Sequence, residues 1–267
     1  MLTSYHAHTK FSDGENTVRE MIDAGVNACL DEMGISDHYA LLPKGKIVPW
    51  SMKLDSLPEY FEVIGAEKER VKDQMVVRYG LEADFDLDSV NDLRDVLQAF
   101  PFDYVIGSIH FVGDFPVDEM KKYWDDLTEF ERNEIIREYL NRIIILANCG
   151  VFNFVGHLDL FKKFGYQPTI DTSKEMSDAL DAIAKAGMAV EFNTSGWYRD
   201  IEEAYPSRII LEECRKRGIP VLITADAHNL HNLTRGYDRA RLLLQDIGYD
   251  QLAMFEGRQM RLSTFHP

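Results

Sequence analysis

Residues 2–14 read LTSYHAHTKFSDG. An apolar, β-branched start runs into His6 and His8, two residues apart and therefore on one face of a strand. A Ser12-Asp13-Gly14 turn follows. The same order returns along the chain. Strands are predicted over 2–8 (LTSYHAH), 33–38 (MGISDH), 76–84 (VVRYGLEAD), 104–111 (YVIGSIHF), 152–159 (FNFVGHLD), 189–195 (AVEFNTS) and 221–228 (VLITADAH). Helical patterns separate them. The stretch 17–33 opens on Thr17 with Glu20 three residues later, a capping-box spacing. The stretch 130–150 repeats apolar residues at Ile135, Ile136, Tyr139, Leu140, Ile143 and Ile144 and stops at Gly150. The stretches 173–187 and 206–218 also end on glycine.

Seven strand–helix alternations without a run of hairpins predict a parallel α/β fold, and seven or eight such units close most naturally into a TIM-like barrel. No linker or low-complexity tract divides the chain, so residues 1–267 read as one domain. The segment 39–56 is too long and irregular for a simple connection and reads as a wall or lid.

In such a barrel the C-terminal strand ends converge on one face. Those ends carry His6 and His8, His38, Glu82, His110, His157, and Asp226 with His228. A lone strand-end histidine is more often a satisfied core or surface residue than a ligand. Only His231 and His266 lie elsewhere, however, so six of the eight histidines share this placement. Asp13 reads either as a ligand or as the polar residue of its own turn. Glu82 lies in an otherwise apolar strand, where an unpaired carboxylate is costly, so a cationic partner is expected. Imidazoles and carboxylates are ligands for zinc, iron or manganese. His6, His8, Asp13, His38, Glu82, His110, His157, Asp226 and His228 exceed what one ion can use, and two to three divalent transition-metal ions bridged by Glu82 fit better.

These residues resemble the polymerase and histidinol phosphatase (PHP) superfamily. The resemblance rests on H-x-H-T-x-x-S-D-G at the start, S-D-H at 36–38, G-L-E at 80–82, G-S-I-H at 107–110, G-H-L-D at 156–159 and A-D-A-H at 225–228. The segments G-S-I-H-F, G-H-L-D and E-F-N-T-S-G look most like its monofunctional histidinol-phosphate phosphatases. The resemblance implies a distorted (β/α)7 barrel and a trinuclear metal centre. One ion would take His6, His8, Glu82 and Asp226, a second Glu82, His110 and His157, and a third Asp13, His38 and His228. It also implies phosphomonoester hydrolysis, with a metal-bridging hydroxide attacking in line.

Three further positions are substrate candidates. Lys163 stands where the resembling phosphatases often have arginine, Arg199 follows N-T-S-G with one extra residue, and Asn193 shares a strand face with Glu191. Glu191 reads more readily as a partner that orients ligand imidazoles. Asp159 shares a strand face with His157 and is a candidate for proton management at the leaving group, or a cap for the next helix.

Composition narrows the partners. With 45 acidic against 29 basic residues the net charge is −16, which disfavours nucleic acid and anionic membranes as partners and leaves a small substrate, for which the resemblance implies a phosphorylated one. The start MLTSYHAH lacks a signal-peptide pattern and no apolar run reaches membrane-span length, so a cytoplasmic location is expected. Cys29, Cys149 and Cys214 form no C-x-x-C pair and read as reduced thiols. Oligomeric state leaves no mark in the sequence. Two alternatives to histidinol phosphate remain at this level. One is a phosphoesterase for another phosphomonoester or a phosphodiester such as a nucleotide. The other is a barrel module without catalysis, for which replaced ligand positions would be expected.

Overall fold

The computed structural model describes residues 1–265, and His266 lies outside the described residues. Seven parallel strands form the centre: β1 (Thr3–Ser4), β2 (Glu32–Ile35, resuming at His38–Tyr39), β3 (Val76–Tyr79, resuming at Glu82–Asp84), β4 (Ile106–Ser108), β5 (Phe154–Val155), β6 (Ala189–Asn193) and β7 (Val221–Thr224). They pair in chain order, each with the next. The ring closes through one parallel bridge, Ala7 to Ala227. His8 N donates to Ala227 O at 2.9 Å, and Ala227 N donates to His6 O at 3.1 Å. The closure therefore falls between the paired candidate ligands of the first and last strands.

Outside the ring lie α1 (Val18–Asn27), α2 (Leu57–Val71), α3 (Val90–Gln98), α4 (Glu129–Asn148), α5 (Ser173–Ala186), α6 (Arg208–Lys216) and α7 (Tyr237–Ile247), with a short helix at Lys121–Asp125 before α4. The capping box at Thr17 and Glu20 is formed, and a second stands at Thr128 and Glu131. α1 buries Val18, Met21, Ile22 and Gly25, one stripe at the helical period.

Several predicted bounds need correction. Helix 17–33 ends at Asn27, because Cys29 turns the chain at φ 55° and Glu32 already belongs to β2. Predicted strands 2–8 and 152–159 keep ladder pairing over only two residues each, since their polar ends leave the ladder to form the site. β2 and β3 break side by side, at Ser36–Asp37 and Gly80–Leu81. The buried Tyr60 hydroxyl fills that gap, 3.0 Å from both Ile35 O and Gly80 O. This paired break is a local distortion of the barrel.

An antiparallel hairpin that the sequence reading did not foresee, β8 (Gln251–Glu256) with β9 (Gln259–Thr264), covers the N-terminal end of the barrel. Its Ala253, Met254 and Phe255 are buried against Tyr5, Tyr104, Ile106, Phe154, Ala189 and Leu222. Tyr104 crosses the interior, and its hydroxyl donates to Tyr5 O at 2.6 Å. The crossing requires glycine on the strands it passes: a Cβ on Gly34 would stand 2.0 Å from the Tyr104 hydroxyl. Gly34→Ala is therefore expected to cost about 1–3 kcal/mol through overpacking. Urea unfolding should show a lowered midpoint; an unchanged midpoint would mean that Tyr104 can move aside.

Candidate metal centre

Every candidate ligand reaches one cluster at the C-terminal end of the barrel. Glu82, which begins the resumed part of β3, lies at its middle with no solvent exposure. Its two oxygens face different neighbours. Oε1 lies 2.9 Å from His157 Nε2 and 3.8 Å from His110 Nε2. Oε2 lies 2.6 Å from His38 Nδ1, 3.2 Å from His6 Nε2 and 3.6 Å from His8 Nε2. Asp226 Oδ1 completes the second side, 3.2 Å from His8 Nε2 and 3.5 Å from His6 Nε2. Farther out, Asp13 Oδ1 lies 3.3 Å from His228 Nε2 and 3.7 Å from His38 Nε2.

Three sets of ligand atoms lie within 4.8 Å of one another: His8 with Asp13, His38 and His228; His6 with His8 and Glu82; and His38 with Glu82 and His110. His8, His38 and Glu82 each belong to two sets. The clusters suit two to three divalent metal ions, and the donor set is that of a transition metal. Buried polar atoms point the same way. Apart from their close approaches to one another, His6 Nε2, both ring nitrogens of His8, His38 Nδ1, Glu82 Oε2 and Asp226 Oδ1 have no hydrogen-bond partner among the described residues. Such atoms are expensive unless something else satisfies them. His157 and Asp226 also hold the left-handed backbone at φ 22° and 49°, a strain found where a site over-determines its residues.

A second layer fixes these side chains. Glu191 Oε2 stands 2.7 Å from His6 Nδ1, while Oε1 accepts from His157 N at 2.6 Å. Thr224 and Asn193 donate to the same carboxylate. Asp84 stands 3.0 Å from His110 Nδ1 and accepts from His110 N. Each arrangement leaves Nε2 for the cluster. Asp37 accepts from Thr9 and Ser12 through both backbone and side chain, which sets the turn that presents Asp13.

Above the cluster opens a cavity of about 250 Å³, bordered by Trp50, Asp118, Glu119, Leu160, Lys163, Ser195, Arg199 and Tyr205. Segment 39–56 does form a wall: Trp50 stands edge-on to His38 and His110, with ring centres 5.0 and 5.3 Å away. Lys163 and Arg199 both reach this cavity. Lys163 Nζ is held by Asp118, 2.7 Å from its carbonyl and 3.0 Å from Oδ2.

Two candidates are placed differently from their expected roles. Asn193 is fully buried behind the cluster, where Nδ2 donates to Glu191 and Oδ1 accepts from Ser195 N. Its amide is committed to the protein. Asp159 borders a separate cavity, and its Oδ2 meets Lys162 Nζ at 2.8 Å and accepts from Ser207 N at 3.0 Å. It ties two loops together instead of facing the phosphate-sized space. Asp84, Asp37, Asp118 and Tyr205 were missed. Asp84 alone had a signal, its two-residue spacing from Glu82.

Burial opposes ionisation of Glu82, but His38 and His6, with bonds from His157 and His38, hold its carboxyl well below the usual range. Burial lowers His8 to about 3, with help from His38 and His228. For His110 burial also disfavours charge, yet Asp84 overrides it and raises the group to about 10. His228 is raised to about 9, burial being outweighed by Asp13 and Asp226.

Comparison with known proteins agrees with this geometry. The PHP domain profile matches residues 4–195. A probable histidinol-phosphatase of Deinococcus radiodurans is 34% identical over 262 residues, covering 97% of this chain and 98% of its own. The histidinol-phosphatase of Lactococcus lactis is 28% identical, covering 96% and 95%. The crystal structure of histidinol phosphate phosphatase from Lactococcus lactis, complexed with Zn, L-histidinol and phosphate, matches with a TM-score of 0.84 and 26% identity over 97% of this chain and 98% of that one.

Metal loading should release protons. With no ion bound, burial opposes charge on three ligand imidazoles, but neighbouring carboxylates outweigh it and raise them above the ordinary range, His6 through Glu191 and Glu82, His110 through Asp84 and His228 through Asp13. Each is therefore expected to carry a proton at pH 7 that a ligand imidazole must lose. Affinity should therefore rise with pH through about 9 and on to about 10, as His228 and then His110 give up their protons. Titrating zinc into the metal-free chain in weak buffer at pH 7 should acidify the solution by up to about three protons per chain. Loading with no proton release would contradict the assignment of these imidazoles as ligands.

Proposed function

The chain belongs to the PHP domain family, and we propose that it hydrolyses L-histidinol phosphate to L-histidinol and phosphate. Metal-dependent phosphomonoester hydrolysis is its chemistry. The observation carrying the reading is a multinuclear donor cluster at the floor of a cavity that holds cationic side chains at its rim and fits one phosphate with a small organic group.

In this reading His6, His8, Glu82 and Asp226 hold one ion, Glu82, His110 and His157 a second, and Asp13, His38 and His228 a third. When bound, the ions supply an activated water and neutralise phosphoryl charge. The protein's own groups do the rest. Glu191 and Asp84 keep the His6 and His110 rings aimed inward. Arg199 offers a fork for phosphoryl oxygens, and Lys163 a point charge whose position Asp118 sets. Asp118 and Glu119 supply negative charge at the wall for the amine of histidinol, and Trp50 an aromatic face for its ring. Burial opposes ionisation of Asp118, but Lys163 and His110 hold its carboxyl below the usual range, so it stays charged for that role. Residues 1–267 act as one catalytic domain on a small substrate, not on nucleic acid.

No helix among the described residues is long and apolar enough to cross a membrane. A cytoplasmic site of action belongs to this reading.

Steady-state kinetics on metal-loaded protein with a panel of phosphomonoesters and one diester test the substrate. Histidinol phosphate should give the highest kcat/KM, with sugar phosphates and nucleotides well below it. A nucleotide or diester in first place would overturn the assignment. Arg199→Ala should lower kcat/KM for histidinol phosphate about 10- to 100-fold, the range for losing a hydrogen bond to a charged group, with metal content unchanged.

A further inference from the structure

We propose that the Tyr205 hydroxyl donates a hydrogen bond to a phosphoryl oxygen of the bound substrate, adding a neutral third donor to Lys163 and Arg199. The inference rests on the phosphomonoesterase reading above, but not on which phosphomonoester is hydrolysed.

Tyr205 is held with unusual completeness for a loop residue. Its backbone forms an isolated antiparallel bridge with Asn193 at the end of β6, Asn193 N donating to Tyr205 O at 2.6 Å and Tyr205 N to Asn193 O at 3.0 Å. The ring lies tight on the backbone of Gly196, where a Cβ would come within 2.9 Å of it. The Lys162 ammonium stands 5.6 Å from the ring centre. Lys162 is itself buried and fixed by Asp159, Glu203 and the carbonyl of Ala204, the residue before Tyr205. Backbone, ring and neighbouring cation together leave the side chain little freedom.

Its polar end is another matter. Tyr205 is 1% exposed and borders the catalytic cavity beside Ser195, Arg199 and Asp226, yet its hydroxyl has no hydrogen-bond partner among the described residues. A buried hydroxyl left unsatisfied lowers stability, and a phenylalanine would pack the same surfaces without that cost. The arrangement makes sense if the partner arrives with the substrate. Burial pushes the phenol up, reinforced by Asp159, so the group donates a hydrogen bond and keeps its proton. A neutral donor also strengthens phosphate binding without adding a cation that would repel metal ions at the cavity floor.

Tyr205→Phe tests this, because it keeps the ring and removes only the hydroxyl. Metal-loaded wild type and variant are compared by calorimetric binding of inorganic phosphate, thermal unfolding without ligand, metal content, and turnover of p-nitrophenyl phosphate and histidinol phosphate. Phosphate affinity and kcat/KM for both substrates should fall about 10- to 100-fold. Metal content should stay constant, and Tm without ligand should hold or rise. A hydroxyl with a structural role would instead lower Tm. Unchanged phosphate affinity, or a lowered Tm with unchanged turnover, would overturn the proposal. Failure of histidinol phosphate as substrate would leave the phosphate and p-nitrophenyl phosphate comparisons decisive.

Discussion

A carboxylate with no access to water, Glu82, lies against five imidazoles, and the rest of the molecule is arranged to make that tolerable. Isolated charges of this kind are strongly disfavoured in a protein interior. Here the charge is balanced locally, and Ser108 Oγ donates to Oε1 at 2.7 Å. The split of its two oxygens, toward His110 and His157 on one side and His6, His8 and His38 on the other, is what a bridge between ions requires. Fold-level irregularities follow from the same need. The side-by-side breaks in β2 and β3 bring His38 and Glu82 to one level, in register as strand partners. The closing bridge at Ala7 and Ala227 sets the first and last ligand pairs against each other.

Around this centre the protein has spent carboxylates a second time. Glu191, Asp84 and Asp37 touch ligands or the turn that carries them, and each accepts more than one hydrogen bond. Such buried acids add little to folding by themselves, since desolvation offsets what pairing returns. Their value is orientation, for an imidazole that rotates away is lost to the cluster. At the other end of the barrel Tyr5, Tyr104, Phe154 and the C-terminal hairpin pack an aromatic core.

Much of this was legible in the chain because metal ligands carry rare chemistry in a periodic position. His6 with His8, and Asp226 with His228, show both features at once. What depends on loop geometry was not legible. Tyr205 and Asp118 carry no spacing signal, and only the fold brings them to the cavity of His110. Asp159 and Asn193 illustrate the converse: strand alternation gave each a face, but the chain leaves the ladder after Val155 and carries Asp159 away from the cavity, while Asn193, still paired with Thr224, has its amide taken by Glu191 and Ser195. The terminal hairpin escaped notice because its alternation is weak, with Gln259, Met260, Arg261 and Leu262 all exposed on β9.

The most direct test of Glu82 as the shared ligand is elemental analysis of metal bound to Glu82→Gln beside His38→Ala, both purified and loaded as the wild type. An amide keeps the shape but not the charge that serves both sides. The account predicts that Glu82→Gln loses two ions together, while His38→Ala loses no more than one. A Glu82→Gln protein that retains the full wild-type complement would contradict it.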